Sequence, residues 1–85
     1  MAPSRQAAQP TQPAELDEVS VRNFVAAHWD LLFRAAFFIC ADRFIAEDLA
    51  QEAMLKALRA YPSVDQSRPI EPWLATIAAN TARDW

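Results

Sequence analysis

DRFIAEDLAQEAMLKALRAY, residues 42–61, decides the fold. Ile45, Leu49, Ala53 and Ala57 recur at every fourth position, and Ala46, Ala50, Met54 and Leu58 form a second row one place on. Positions four apart lie one above the other on a helix, so the two rows merge into one apolar stripe. Asp42, a short acceptor ahead of the first apolar residue, is the expected N-cap. Pro62 sets the expected end near Tyr61, because a proline cannot continue the ladder of backbone hydrogen bonds. The period-two alternation of β-branched residues that a strand would need is missing here and along the rest of the chain.

Working outward, Val21, Phe24, Val25, His28, Leu32, Ala36 and Ile39 follow a three-and-four spacing, with Trp29, Phe33 and Phe37 in a parallel row. This first helix carries more apolar surface than one neighbouring helix covers. Either it is well buried within the domain, which is the expectation adopted, or it also meets a partner. On the other side, PSVDQSR, residues 62–68, has the composition of a connecting loop. A third helix is expected from around Pro69 to the end of the chain, with Trp73, Leu74, Ile77, Ala78 and Trp85 on its apolar side. Pro69 and Pro72 fit it only within the first turn, where the missing N–H had no helical partner anyway. Residues 1–14, rich in Pro, Gln and Ala, cannot bury enough apolar surface to offset the entropy of ordering and are expected to be a disordered leader. The predicted fold is all-α, a small bundle of three main helices spanning residues 15–85.

Composition narrows the function classes. A chain of 85 residues makes one small domain of marginal stability. Although 53% of it is hydrophobic, no run approaches the roughly 18 uninterrupted apolar positions of a membrane span, so no membrane insertion is expected. The polar N-terminus is unlike a secretory signal, which makes the cytoplasm the expected location. The single cysteine, Cys40, excludes an internal disulfide, and its neighbours Phe38 and Ile39 suggest burial. The absence of glycine excludes a glycine-rich phosphate loop and leaves any left-handed helix cap to asparagine or to a strained residue. A formal charge of −3 argues against a domain that binds nucleic acid unaided.

Glu47, Asp48, Gln51 and Glu52 share one side of the second helix. Paired carboxylates suit acid–base or metal chemistry. The only histidine, His28, nevertheless lies on the apolar face of another helix, where packing or a rim position is expected, and no nucleophile has a base at useful spacing. No enzyme activity, catalytic residue, metal or cofactor is therefore predicted. A solvated acidic face near a helix N-terminus is an ordinary feature. Leu55 on the same side fits it poorly, since acid beside an apolar anchor is a docking pattern.

AEDLAQEAMLKALRAY, residues 46–61, resembles the most characteristic stretch of region 2 of bacterial sigma factors of the extracytoplasmic-function (ECF) type. PIEPWLATIAANTARDW, residues 69–85, is similar to the strand-separating, minus-ten-reading segment of that family, through its proline, Trp-Leu pair, Ile-Ala pair and Asn-x-Ala. LLFRAAFFICADRFIAED, residues 31–48, resembles its first conserved helix and the connection to the second. The resemblance runs from about Phe24 to Trp85. It implies that Asp48, Gln51, Glu52 and Leu55 dock on the coiled-coil clamp helices of the RNA polymerase largest subunit. It also implies that Val64, Asp65, Gln66, Ser67, Arg68 and Asn80 belong to the elements that capture a base flipped from the promoter minus-ten element. Arg68 and Arg83 either neutralise DNA phosphates or are simply solvated, and Trp73 is expected to pack in the core rather than to stack on bases. An anti-sigma factor is an implied partner, and the C-terminal region 4 domain of the family is expected to be absent from this chain.

The chain departs from the family in its third helix. Glu71, Ala75, Thr76 and Ala79 stand where relatives commonly have basic or aromatic residues, which predicts weak DNA binding by this domain alone. Two functions follow from the resemblance. One is a transcription-initiation factor that opens promoters without covalent chemistry; the other is a sigma-mimic adaptor that binds an anti-sigma protein and never touches promoter DNA. A metal-dependent hydrolase built on Glu47, Asp48 and Glu52 lacks further ligands at suitable spacing.

Overall fold

A computed structural model describes residues 17–85, and the expected leader lies outside them. Three helices pack each against the other two: α1 over Glu18–Cys40, α2 over Arg43–Ala60 and α3 over Glu71–Asp84, with a 3-10 turn at Tyr61–Ser63. No strand occurs among the described residues, as the all-α reading requires.

Each boundary has a local cause. α1 is started by Asp17, whose carboxylate accepts from the Ser20 N–H at 2.8 Å, a cap that the periodicity reading had not singled out. That hydrogen bond holds the Asp17 carboxyl below its ordinary range. α1 stops where Ala41 turns left-handed (φ 59°, ψ 26°) and gives its N–H to Phe37 O at 2.8 Å. With no glycine in the chain, a residue with a Cβ takes this cap at some steric cost. Asp42 then caps α2 as expected, accepting from Phe44 N at 2.9 Å and Ile45 N at 3.0 Å. The third helix begins two residues later than predicted. Its first hydrogen bond runs from Leu74 N to Ile70 O, so Pro72 sits in the first turn while Pro69 precedes the helix. Pro69 instead follows a turn closed by Arg68 N–H on Asp65 O at 3.2 Å.

Two buried clusters form the core. Phe24 and Leu32 of α1 meet Ala50, Ala53, Met54 and Ala57 of α2 and Leu74 and Ala78 of α3. Ala36, Ala46, Leu49 and Ala82 make the second cluster. The end of α1, the start of α2 and the end of α3 therefore share one pole, so α1 and α3 run the same way and α2 runs back between them. Alanines on the α2 rows let the helices approach closely, and Leu32 and Leu74 are the largest side chains buried completely.

α1 is less covered than expected. Phe24, Leu32 and Ala36 are its only buried residues; Trp29 and Phe33 are half-buried, and Phe38 at 88% and Phe37 at 41% are exposed at the last turn. Two partner helices reach only part of so wide an apolar surface. Cys40 is likewise half-buried rather than enclosed, with Sγ 3.4 Å from Asp42 O, because its apolar neighbours point outward. By length and composition alone α1 is apolar enough to cross a bilayer, but a helix that packs along two others in a bundle passes the same test.

Candidate nucleic-acid and polymerase interfaces

On α2, the positions left over by the two apolar rows form an exposed stripe. Asp48, Gln51, Glu52 and Leu55 are all exposed, and Leu55 remains 54% accessible despite being apolar. Their spacing of three and four places them along one side of the helix. Phe44, 75% exposed and four residues before Asp48, extends the stripe, which thus has an apolar residue at each end of its acidic middle. Sequence reasoning missed Phe44, although a large apolar residue that falls off both buried rows was a usable signal.

Glu52 does more than face solvent. Its carboxylate lies 3.4 Å from Lys56 Nζ, which also donates to Thr81 Oγ1 at 3.2 Å. Thr81 is buried in α3, and its hydroxyl donates to Ile77 O at 2.8 Å. A polar chain therefore links the acidic stripe of α2 to the residue beside Asn80. Lys56 and Thr81 were not picked out in the sequence, where a lysine within a helix reads as a solvated surface residue.

The loop after α2 is organised by Asp65. Its carboxylate accepts from Ser67 Oγ at 2.6 Å and Ser67 N at 3.0 Å and pairs with Arg68 Nε at 3.4 Å. The hydrogen bonds to Ser67 hold the Asp65 carboxyl below its ordinary range. The Tyr61 hydroxyl donates to Gln66 Oε1 at 3.1 Å, which ties the tip of the loop to the end of α2.

This loop separates two cavities rather than lining one. Val64, Asp65, Arg68 and Pro69 border both. The smaller, about 340 Å³, lies towards α1 and is completed by Phe24, His28, Tyr61, Gln66, Ile70 and Glu71. The larger, about 630 Å³, lies towards α3 and is completed by Ser63, Pro72, Trp73 and Thr76. Asn80 is exposed one helical turn beyond Thr76, and its Oδ1 accepts from Arg83 Nη1 at 3.0 Å. Asn80, Arg83 and Ser67 line neither cavity. Trp73 packs against the core, as expected, and its remaining surface lines the larger cavity. His28 is a half-buried rim residue, its ring edge-on to Phe24 at 4.7 Å.

Residues 24–85 match the Sigma-70 region 2 family. A stretch of 50 residues is 42% identical to a probable RNA polymerase sigma factor, RfaY, of Xanthomonas campestris pv. campestris. That match covers 59% of this chain and 12% of the relative. No solved structure gives a significant match. A family match that takes in all of α2, the loop and all of α3, and α1 from Phe24 on, settles the kinship: the chain belongs to the Sigma-70 region 2 family.

Proposed function

We propose that this chain is the part of an ECF-type sigma factor that docks on core RNA polymerase and opens the promoter at the minus-ten element, working in the cytoplasm under the control of an anti-sigma factor. The observation that carries the reading is the exposed α2 stripe, Asp48, Gln51, Glu52 and Leu55, within a domain of the sigma region 2 family. Acidic side chains orient the encounter with the basic surface of the clamp helices, and Leu55 supplies the apolar contact that rim charges lack. Val64 to Arg68 and Asn80 hold a base unstacked from the non-template strand. Unstacking costs a few kcal/mol, which hydrogen bonds and an apolar wall have to offset.

A second reading has one observation in its favour. Both cations next to the loop and Asn80 are already engaged within the domain, Arg68 with Asp65 and Arg83 with Asn80. A domain that spends its cations internally suits a sigma mimic that binds an anti-sigma protein and leaves DNA alone. Binding to core polymerase followed by permanganate footprinting separates the two. Opened thymines, lost on Asn80→Ala, with polymerase affinity lowered by Asp48→Ala or Gln51→Ala, support the initiation factor. Polymerase binding without opened thymines favours the mimic, and unchanged affinity in the α2 variants removes the docking assignment.

A further inference from the structure

We infer that Lys56 is a positioning residue for Asn80: by hydrogen-bonding the buried Thr81 hydroxyl across the α2–α3 interface, its ammonium fixes the rotation of the second half of α3. The inference rests on the proposed role of Asn80 in base capture and adds to it the group that holds Asn80 in place. Lys56 Nζ reaches Thr81 Oγ1 at 3.2 Å, and among the described residues this is the one side-chain hydrogen bond that joins two helices. Every ion pair among them links residues three or four apart.

The second half of α3 has little else to hold its rotation. The larger anchors of the helix, Trp73, Leu74 and Ile77, all lie in its first half. From there on the buried residues are Ala78, Thr81 and Ala82, and the α2 side of the same clusters is largely alanine, with Ala46, Ala50, Ala53 and Ala57. Apolar contact is non-directional and small side chains make shallow ridges, so such a surface sets the distance between helices better than their rotation. A hydrogen bond has direction. Neighbouring helix positions differ by about 100°. A bond that holds Thr81 towards α2 therefore holds the exposed Asn80 on the adjoining outer face.

The donors and acceptors suit this task. The Thr81 hydroxyl spends its proton on Ile77 O, so only its lone pairs are left, and they call for a donor. An ammonium has three N–H groups and can serve Thr81 while it also meets Glu52 at 3.4 Å. That exposed pair contributes little attraction of its own, but it narrows the positions open to the lysine stem. Arg83 steadies the Asn80 amide through its oxygen at 3.0 Å, whereas Lys56 and Thr81 act on the backbone that carries it.

The test works mainly through Thr81, which at 2% exposure cannot touch DNA. With the chain assembled on core polymerase, Thr81→Val is expected to weaken binding of a single-stranded minus-ten oligonucleotide about fivefold, and Thr81→Ser, which keeps a hydroxyl, to restore it. Polymerase affinity should stay unchanged in both. In an Asn80→Ala background Thr81→Val should cost nothing more, because the residue being positioned is gone. Lys56→Met should repeat the oligonucleotide pattern, and it replaces Thr81→Val if that variant misfolds. Equal losses with and without Asn80 would overturn the positioning role, assigning Lys56 to a phosphate if only Lys56→Met behaves so and to a general loosening of the fold if both do. In the free chain, the Asn80 backbone amide should lose NMR order in Thr81→Val and regain it in Thr81→Ser; unchanged order would overturn the role as well. If Asn80→Ala leaves oligonucleotide binding intact, base capture falls, and the NMR result still decides the positioning.

Discussion

Ala41 shows how a single residue records the absence of glycine. Its left-handed φ of 59° closes α1 through the hydrogen bond to Phe37 O, at a position where a Cβ crowds the following carbonyl. Ala41→Gly is expected to stabilise the domain by about 1 kcal/mol, raising the thermal midpoint by roughly 4–8 °C. A lower midpoint in calorimetry would show that this cap is unstrained. Asp65 makes a second prediction at this scale. Its carboxyl titrates below the usual value of 3.8 when folded, so the charged form is the one the loop stabilises. That contribution is complete above the ordinary carboxylate range and is lost as pH falls through the depressed value. Amide exchange at Ser67 should therefore stay protected, once the intrinsic pH trend is removed, down to about pH 4 and rise below it. The same rise in Asp65→Asn would assign the effect to another group.

At the scale of the element, α2 shows which parts of the molecule a sequence reveals. Its two buried rows, its cap at Asp42 and its stop before Pro62 could all be read directly, because each depends on residues within a few positions of each other. α3 was legible in type but its start was misplaced, since Pro69 fits the first turn of a helix and the loop before it equally well. The exposure of Phe37 and Phe38 was not legible. Whether an apolar residue is covered depends on how far the neighbouring helices reach, and that is a property of the assembled bundle. The candidate sites divide in the same way. The acidic stripe follows from helical spacing, whereas the division of the loop residues between two cavities, and the roles of Tyr61 and Lys56, arise from contacts across elements. If the α2 stripe is a docking face, its two apolar ends should anchor it. Phe44→Ala and Leu55→Ala are each expected to weaken polymerase binding by about fivefold or more with helicity intact. Wild-type affinity in Phe44→Ala would confine the contact to Leu55 and the acidic residues.

For the whole molecule, stability depends on a thin core. Leu32 and Leu74 are the largest side chains buried completely, and most of the remaining buried residues are alanines. Leu74→Ala should cost about 2–5 kcal/mol, comparable to the total stability of a domain this small. Urea denaturation should then find the variant largely unfolded without denaturant. A cooperative transition close to that of the unaltered chain would mean that the three helices repack around the gap.

The chain of contacts from Glu52 through Lys56 to Thr81 restricts how this domain can be rebuilt. An engineer who transplants the outer surface of α2 onto a related scaffold carries across one end of a tie whose other end is inside α3. Without a hydroxyl at the position of Thr81, the incoming lysine gives up its partner on α3. The transferable module is thus a pair of helices and not one helix, and a chimera joined within the loop between them would separate residues that belong together.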